Sequence, residues 1–339
     1  MVDLNIQLPD SFFQEEVRSG YLVSAQKKAV WAVQLDLLNE FDRVCQKHNL
    51  KYIIEFGTLL GAIRHKGFIP WDVDIDVSML REDYDKLIKI GPTEFSQPYF
   101  LQNQFTDKGY DAVITRLRRS DTTALMISDI LHRNKFNQGI YLDIDVFDNV
   151  PTDDIQYVSG IHNQCKQYCE AIGCLAHRPS GSGTVSDMTL LNLLRYGKYR
   201  IRYGSLKNVY KKLEETSRQF GDSEYVSVLF CAMVTKIRPR AWFENTIYVP
   251  FENLMLPAPA AYEDVLTSCY GDWRTPIVDD KSFVLFFDTD RSYSDVIGED
   301  GFYERFCQQY NIDIKKYQMS TLEYIKLLGS RIRRTIVRK

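Results

Sequence analysis

Gly57-Thr-Leu-Leu-Gly-Ala-Ile-Arg-His-Lys-Gly-Phe-Ile-Pro-Trp-Asp-Val-Asp-Ile-Asp-Val-Ser-Met79 carries three aspartates spaced two apart. Side chains alternate along a strand, so Asp72, Asp74, Asp76 and Ser78 would share one face and Val73, Ile75, Val77 and Met79 the other. One face is apolar and the other anionic. Carboxylates this close repel unless each is solvated or shares a cation, and hard divalent ions take oxygen ligands from carboxylates and substrate phosphates. The spacing points to a metal and phosphate site, against the plainer alternative of an edge strand with an acidic solvent face.

Context favours the site. Lys51 to Phe56 is a β-like run that stops at Gly57-Thr58, and Leu59 to His65 reads as a short helix. A glycine turn opening a helix offers backbone N–H groups and a positive dipole end to a phosphate.

The stretch closely resembles the signature of the LicD/fukutin phosphotransferase family, G-T-L-L-G-x-x-R-H-x-G-F-I-P-W-D-x-D-I-D, over more than twenty nearly unbroken residues. The resemblance implies a nucleotidyltransferase-like fold, α/β (α+β), with a mixed sheet flanked by helices. It also implies a donor site at Gly57, Thr58, Arg64, His65 and Trp71.

Composition is that of an ordinary globular chain: 339 residues, 45% hydrophobic, net charge −3. No apolar run reaches the ~18 residues that span a bilayer, and the polar start Met1-Val-Asp-Leu-Asn-Ile-Gln lacks a signal-peptide pattern. A cytoplasmic protein is expected. Seven scattered cysteines, an odd number, fit reduced thiols better than a disulfide framework.

Ser24 to His48 carries Val30, Val33, Leu37, Phe41, Val44 and Cys45 at helical spacing. Beyond the acidic strand, Arg81 to Ile90 reads as a helix ended by Gly91-Pro92, and Tyr99 to Phe105 as a strand. In Asp111-Ala-Val-Ile-Thr-Arg-Leu-Arg-Arg119, alternation places Ile114, Arg116 and Arg118 on one face. Guanidinium groups grip phosphate oxygens bidentately, so Arg116 and Arg118 are candidate donor-binding residues; a surface strand with arginines is the alternative. The family usually has a basic residue, often lysine, in this strand.

Gly139-Ile-Tyr-Leu-Asp-Ile-Asp-Val-Phe-Asp-Asn-Val-Pro151 groups Tyr141, Asp143, Asp145 and Phe147 opposite Ile140, Leu142, Ile144 and Val146, a buried strand with two acids on one side. Buried acids need a partner. By resemblance Asp143 stands on the family's first acid here and Asp148 on its last. A third carboxylate from a neighbouring strand completes the metal site in nucleotidyltransferase-like folds, which makes Asp143 the candidate and Asp145 the reserve.

Asp153 onward turns helical. His162, Cys165 and Cys169 fall on one stripe, where burial explains the thiols better than zinc does. Pro179 to Thr184 reads as a flexible linker, and Thr189 to Phe220 as a second helical block rich in Tyr and Lys. With net negative charge and no accompanying motif, that block indicates a solvated face or an acceptor surface, and no nucleic-acid partner is expected. Val249 to Pro276 resembles the family's closing segment, in which a strand pair precedes a helix and Y-G-D-[YW].

The expectation is a catalytic core over 1–150, a helical insertion over 151–225 and a C-terminal part over 226–339 that completes the core. The resemblance implies transfer of a substituted phosphoryl group from a CDP-linked donor, CDP-choline favoured, to a hydroxyl of a cell-surface saccharide or its lipid-linked precursor, in teichoic acid, capsule or lipopolysaccharide. Asp74, Asp76 and Asp143 would be catalytic and, with Asp145, would hold Mg2+ or Mn2+. Transfer of phosphoribitol or phosphoglycerol, a true nucleotidyltransferase and a non-catalytic glycan binder are the alternatives. Finally, Glu323 to Lys339 lines up Ile325, Leu328, Ile332 and Ile336 beside six basic residues. A helix docked on the core and a peripheral contact with the inner membrane face are the two readings of that segment.

Overall fold

The computed structural model describes residues 1–132, 134–176, 190–229, 236–278 and 284–311. The expected linker at Pro179 to Thr184 and the C-terminal basic segment lie outside these residues. After a 3-10 turn (Asp10–Phe13) come the hairpin β1 (Glu16–Arg18) and β2 (Tyr21–Val23), then α1 (Ala25–Lys47), β3 (Ile53–Ile54), α2 (Phe56–His65), β4 (Asp76–Leu80) and α3 (Arg81–Glu94). Next are β5 (Tyr99–Gln102), β6 (Thr115–Arg119), β7 (Thr123–Met126), α4 (Ile127–His132) and the long β8 (Ile140–Val150). The insertion is α5 (Ile155–Ala176), α6 (Leu190–Tyr203) and α7 (Leu206–Ser217). The chain closes with β9 (Tyr225–Ser227), β10 (Arg238–Pro239), α8 (Ala241–Glu244), β11 (Thr246–Phe251), β12 (Leu254–Pro259), α9 (Tyr262–Tyr270), β13 (Val284–Asp288), α10 (Tyr293–Gly298) and α11 (Phe302–Gln309). The fold is mixed α/β, as the sequence implies.

β8 organises the central sheet. Its middle, Asp143 to Phe147, pairs parallel with β4; its first half pairs antiparallel with β6; its end, Asp148 to Val150, pairs antiparallel with β9. Alternation holds along β8: Leu142, Ile144 and Val146 are buried, and Asp143 and Asp145 are half-buried. α1 begins at the N-cap Ser24, whose hydroxyl accepts from Lys27 N–H, and buries Trp31, Val33, Leu37, Phe41 and Val44 against the sheet. The same apolar cluster takes in Phe251, Leu256, Val265 and Trp273 from the C-terminal part. The insertion has a separate cluster that includes Val158, Cys165, Ile172, Tyr203 and Leu213, so Cys165 is a packed core thiol. No described helix is long and apolar enough to cross a membrane.

Five boundaries differ from the sequence reading. β4 starts only at Asp76, because the loop before it is tied to α1, where Trp31 Nε1 donates to Asp72 O at 3.0 Å and Gln34 Nε2 to Val73 O at 2.6 Å, and reaches β8 at Ile75 O, which accepts from Asp143 N–H at 2.9 Å. α2 starts at Phe56, which absorbs Gly57 and Thr58 into its first turn. α3 runs through Gly91-Pro92 to Glu94; Gly91 lies against Leu101, where a Cβ would sit 2.2 Å from Cδ2, and the N–H that Pro92 lacks falls in the last turn. β5 ends at Gln102 and β6 begins at Thr115, both shorter than expected.

Candidate active site

Register brings the acids together. Asp76 on β4 pairs with Asp143 on β8, and Asp143 pairs on its other side with Arg116 on β6. Residues opposite one another on adjacent strands have Cβ atoms about 5 Å apart on the same face. Three strands thus set two carboxylates and a guanidinium in one row. Arg116 Nε donates to Asp143 Oδ1 at 2.7 Å, and its guanidinium lies 4.2 Å from the Tyr141 ring centroid. One step along, Asp145 pairs with the buried Ser78.

The loop before β4 is fastened to the start of α2. Thr58 Oγ1 accepts from Asp76 N–H at 2.9 Å, so the threonine hydroxyl fixes the first residue of the acidic strand. Asp72 closes over the helix start: a Cβ at Gly57 would lie 2.7 Å from Asp72 Oδ2, and Asp72 Oδ1 accepts from Val73 N–H at 3.0 Å. Only glycine admits the carboxylate there. The phosphate cradle expected at Gly57 and Thr58 is therefore partly committed, to Asp72 and Asp76.

Electrostatics mark the same spot. The carboxyl groups of Asp74 and Asp76 are pushed well above the ordinary range, first by burial and then by repulsion, from Asp72 and Asp143 on Asp74 and from Asp74, Asp143 and Asp145 on Asp76. Asp145 is raised to about 7 by burial, Asp143 and Glu55, against Arg238 and Arg116. Among the described residues, Asp143 alone of these acids makes an ion pair with a basic side chain.

The other expected donor-binding residues have structural partners. Arg118 is buried, with Nε on Gln102 Oε1 at 2.6 Å and a terminal nitrogen on Gly139 O at 2.7 Å. Trp71 is buried, edge-on to Tyr21 and His65. Arg64 donates to Trp273 O at 2.8 Å and to His65 Nε2 at 2.9 Å, makes no ion pair among the described residues, and is lowered in pKa by burial. It remains a cation without a carboxylate.

Sequence alone does not assign three residues to the site, although one of them, Tyr270, opens the Y-G-D-W of the family-like closing segment. Glu55, the residue before α2, is fully buried with Oε1 2.8 Å from an Arg238 terminal nitrogen, while its Oε2 and Arg238 Nε lack partners. Tyr270 ends α9, and its phenol is raised by burial and by the charges of Cys269, Asp76, Glu55 and Asp72. Glu55 sits at the end of the run Tyr52-Ile-Ile-Glu55 and carried a weak signal; the other two come from distant sequence.

Residues 49–156 match the family model described as LicD/FKTN/FKRP, nucleotidyltransferase domain. Over this domain the chain is similar to the LicD family. It is 26% identical over 253 residues to the lipopolysaccharide cholinephosphotransferase LicD of Haemophilus influenzae, an alignment covering 71% of this chain and 88% of that protein. An uncharacterized protein of Rickettsia prowazekii is 35% identical over 137 residues, 40% of this chain and 46% of that protein. A second, from Rickettsia typhi, is 46% identical over 59 residues, 17% of this chain and 18% of that protein. The matched LicD segment contains all the candidate carboxylates and Arg116; Arg238 and Tyr270 lie outside it.

Among the described residues no three His, Cys, Asp or Glu side chains are closed into a metal cage. Asp143 is turned to Arg116. Yet the donor set fits a hard cation: it is all oxygen, and Asp74 and Asp76 are half-buried, mutually repelling and without a basic partner.

Proposed function

We propose that this chain transfers phosphocholine from CDP-choline to a hydroxyl of a saccharide, of lipopolysaccharide or its lipid-linked precursor. The observation that carries the reading is the row Asp76, Asp143, Arg116 across three adjacent strands, with Asp74 beside it. The Haemophilus influenzae relative, a lipopolysaccharide cholinephosphotransferase, supports the choice of donor group and acceptor.

In the reaction the acceptor oxygen bonds to the phosphorus that carries choline, the bond from that phosphorus to the bridging oxygen breaks, and CMP leaves. Asp74, Asp76 and Asp143, with Asp145 in reserve, would hold Mg2+ or Mn2+. The ion would supply positive charge to the donor diphosphate. Arg116 grips phosphate oxygens, Arg64 adds positive charge, and Asp143 accepts the acceptor's hydroxyl proton.

Purified protein given CDP-choline and a saccharide acceptor should release CMP, with turnover abolished by EDTA and restored by Mg2+ or Mn2+. CDP-ribitol and CDP-glycerol, run in parallel, test the donor group. Release from either of these but not from CDP-choline would replace the donor assignment. The family description as a nucleotidyltransferase domain favours one second reading, transfer of a nucleoside monophosphate. That reading predicts pyrophosphate release from CTP and no CMP from CDP-choline.

A further inference from the structure

The helical insertion has a packed inner face and an outer face of different chemistry. α6 is held inward by tyrosines: Tyr199 Oη donates to Glu170 Oε2 at 3.0 Å, Tyr199 and Tyr203 stack at 6.1 Å, and Tyr203 meets Tyr168 edge-on at 5.8 Å. Residues three, four and seven apart share a helix face, so the stripe opposite these tyrosines is Leu194, Lys198 and Ile201, with Arg195 and Arg202 beside it. Leu194 is 62% exposed and Ile201 89%. Ile201 is more exposed than any other large apolar side chain among the described residues.

The surrounding charge has one sign. Arg195, Lys198, Arg200 and Arg202 on α6 and Lys207 and Lys211 on α7 are all exposed, and no Asp or Glu occurs between Leu190 and Leu213. Lys198 and Arg202 lie over the rings of Tyr199 and Tyr203, contacts that leave their charge uncompensated. Among the described residues, the one ion pair these six side chains make is Lys211 with Glu215 at 3.5 Å, both exposed. A chain of net charge −3 therefore gathers positive charge on this block, around two exposed apolar side chains.

We propose that the outer face of α6 docks on an anionic lipid bilayer, with Leu194 and Ile201 entering the headgroup region and the cations meeting lipid phosphates. Charge alone would suit a soluble polyanion. The apolar pair in the middle of the cationic stripe is what a bilayer interface rewards and a polyanion in water does not. The docking is independent of which donor the active site uses.

The test uses the full chain and vesicles of phosphatidylcholine with and without phosphatidylglycerol. With phosphatidylglycerol present, Ile201→Trp should show a blue-shifted emission that brominated lipid quenches beyond the response of the wild-type tryptophans. The double variant Leu194→Ser, Ile201→Ser should bind these vesicles at least tenfold more weakly with unchanged circular dichroism, and added salt should weaken wild-type binding. Vesicle binding without quenching at position 201 would overturn the proposal and place the contact elsewhere on the chain. Binding to soluble polyglutamate as tight as to vesicles, and indifferent to the double variant, would also overturn it and leave an anionic-glycan surface.

Discussion

Arg116 Nε lies 2.7 Å from Asp143 Oδ1, so the strand beside β8 brings a counter-ion to one of the candidate catalytic carboxylates. Asp143 pairs with Asp76 on its other side and adds to the repulsion that raises Asp74 and Asp76, neither of which has a basic partner of its own among the described residues. Arg116→Gln should cost about 1.5–3 kcal/mol in urea unfolding without divalent ions, the range of a hydrogen bond to a charged group. It should also raise the KM for the donor at least tenfold. Arg116→Lys keeps the charge but loses the planar stack over Tyr141 and should fall between the two. Wild-type stability and KM in Arg116→Gln would remove the residue from the site.

Asp74 and Asp76 invite the opposite stability result. Their charged forms are disfavoured by burial and by each other, so Asp74→Asn or Asp76→Asn should leave the metal-free protein as stable as wild type or more so. Activity should drop by ~3 orders of magnitude, since a metal site contributes several kcal/mol to the transition state and each ~1.4 kcal/mol is tenfold. Calorimetry with Mn2+ should show weakened binding in both variants. Undiminished CMP release in either variant would exclude that carboxylate.

Alternation made much of this site legible. Asp143 and Asp145 stand together on one side of β8, half-buried, as their spacing required, and α1 runs over nearly the span its apolar period marked. Pairing was not legible, because register depends on strands far apart in sequence: nothing local to Asp76 says that it faces Asp143 and, beyond it, Arg116. Period-two reasoning also assumed a strand through Asp72, where Trp31 and Gln34 of α1 hold the backbone as a loop. Arg118 shows a further limit. An alternating arginine looks the same in sequence whether it meets a ligand or, as here, Gln102 and Gly139.

Gly57→Ala separates geometry from helix propensity. Alanine favours a helix interior by about 1 kcal/mol over glycine, so on propensity alone the variant would gain stability. Its Cβ would instead meet Asp72 Oδ2 at 2.7 Å and push that carboxylate off the start of α2. The expected outcome is stability within about 1 kcal/mol of wild type with kcat/KM reduced at least tenfold. Full activity would show that the position of Asp72 does not matter to the reaction.

His65 supplies a pH dependence whose sign can be worked out. Burial, Arg64 and Arg18 lower its pKa from 6.5 to about 4. Nε2 accepts from Arg64 Nε at 2.9 Å, which a proton on Nε2 would break; Nδ1–H is then the group that meets Ser19 Oγ at 3.3 Å. Between pH 4 and 6.5 the unfolded chain binds the proton and the folded chain does not, so stability rises with pH across that window. The contribution is complete above pH 6.5 and lost as pH falls toward 4. Relative to His65→Gln, the wild type should lose ~1–3 kcal/mol between pH 7.5 and 4.5, measured as the difference between paired urea titrations, with each pKa unit worth about 1.4 kcal/mol. Arg18→Gln should raise the imidazole pKa by NMR titration, because it removes one of the two repelling cations. Parallel pH profiles for wild type and His65→Gln would show that the folded imidazole titrates like a solvated one.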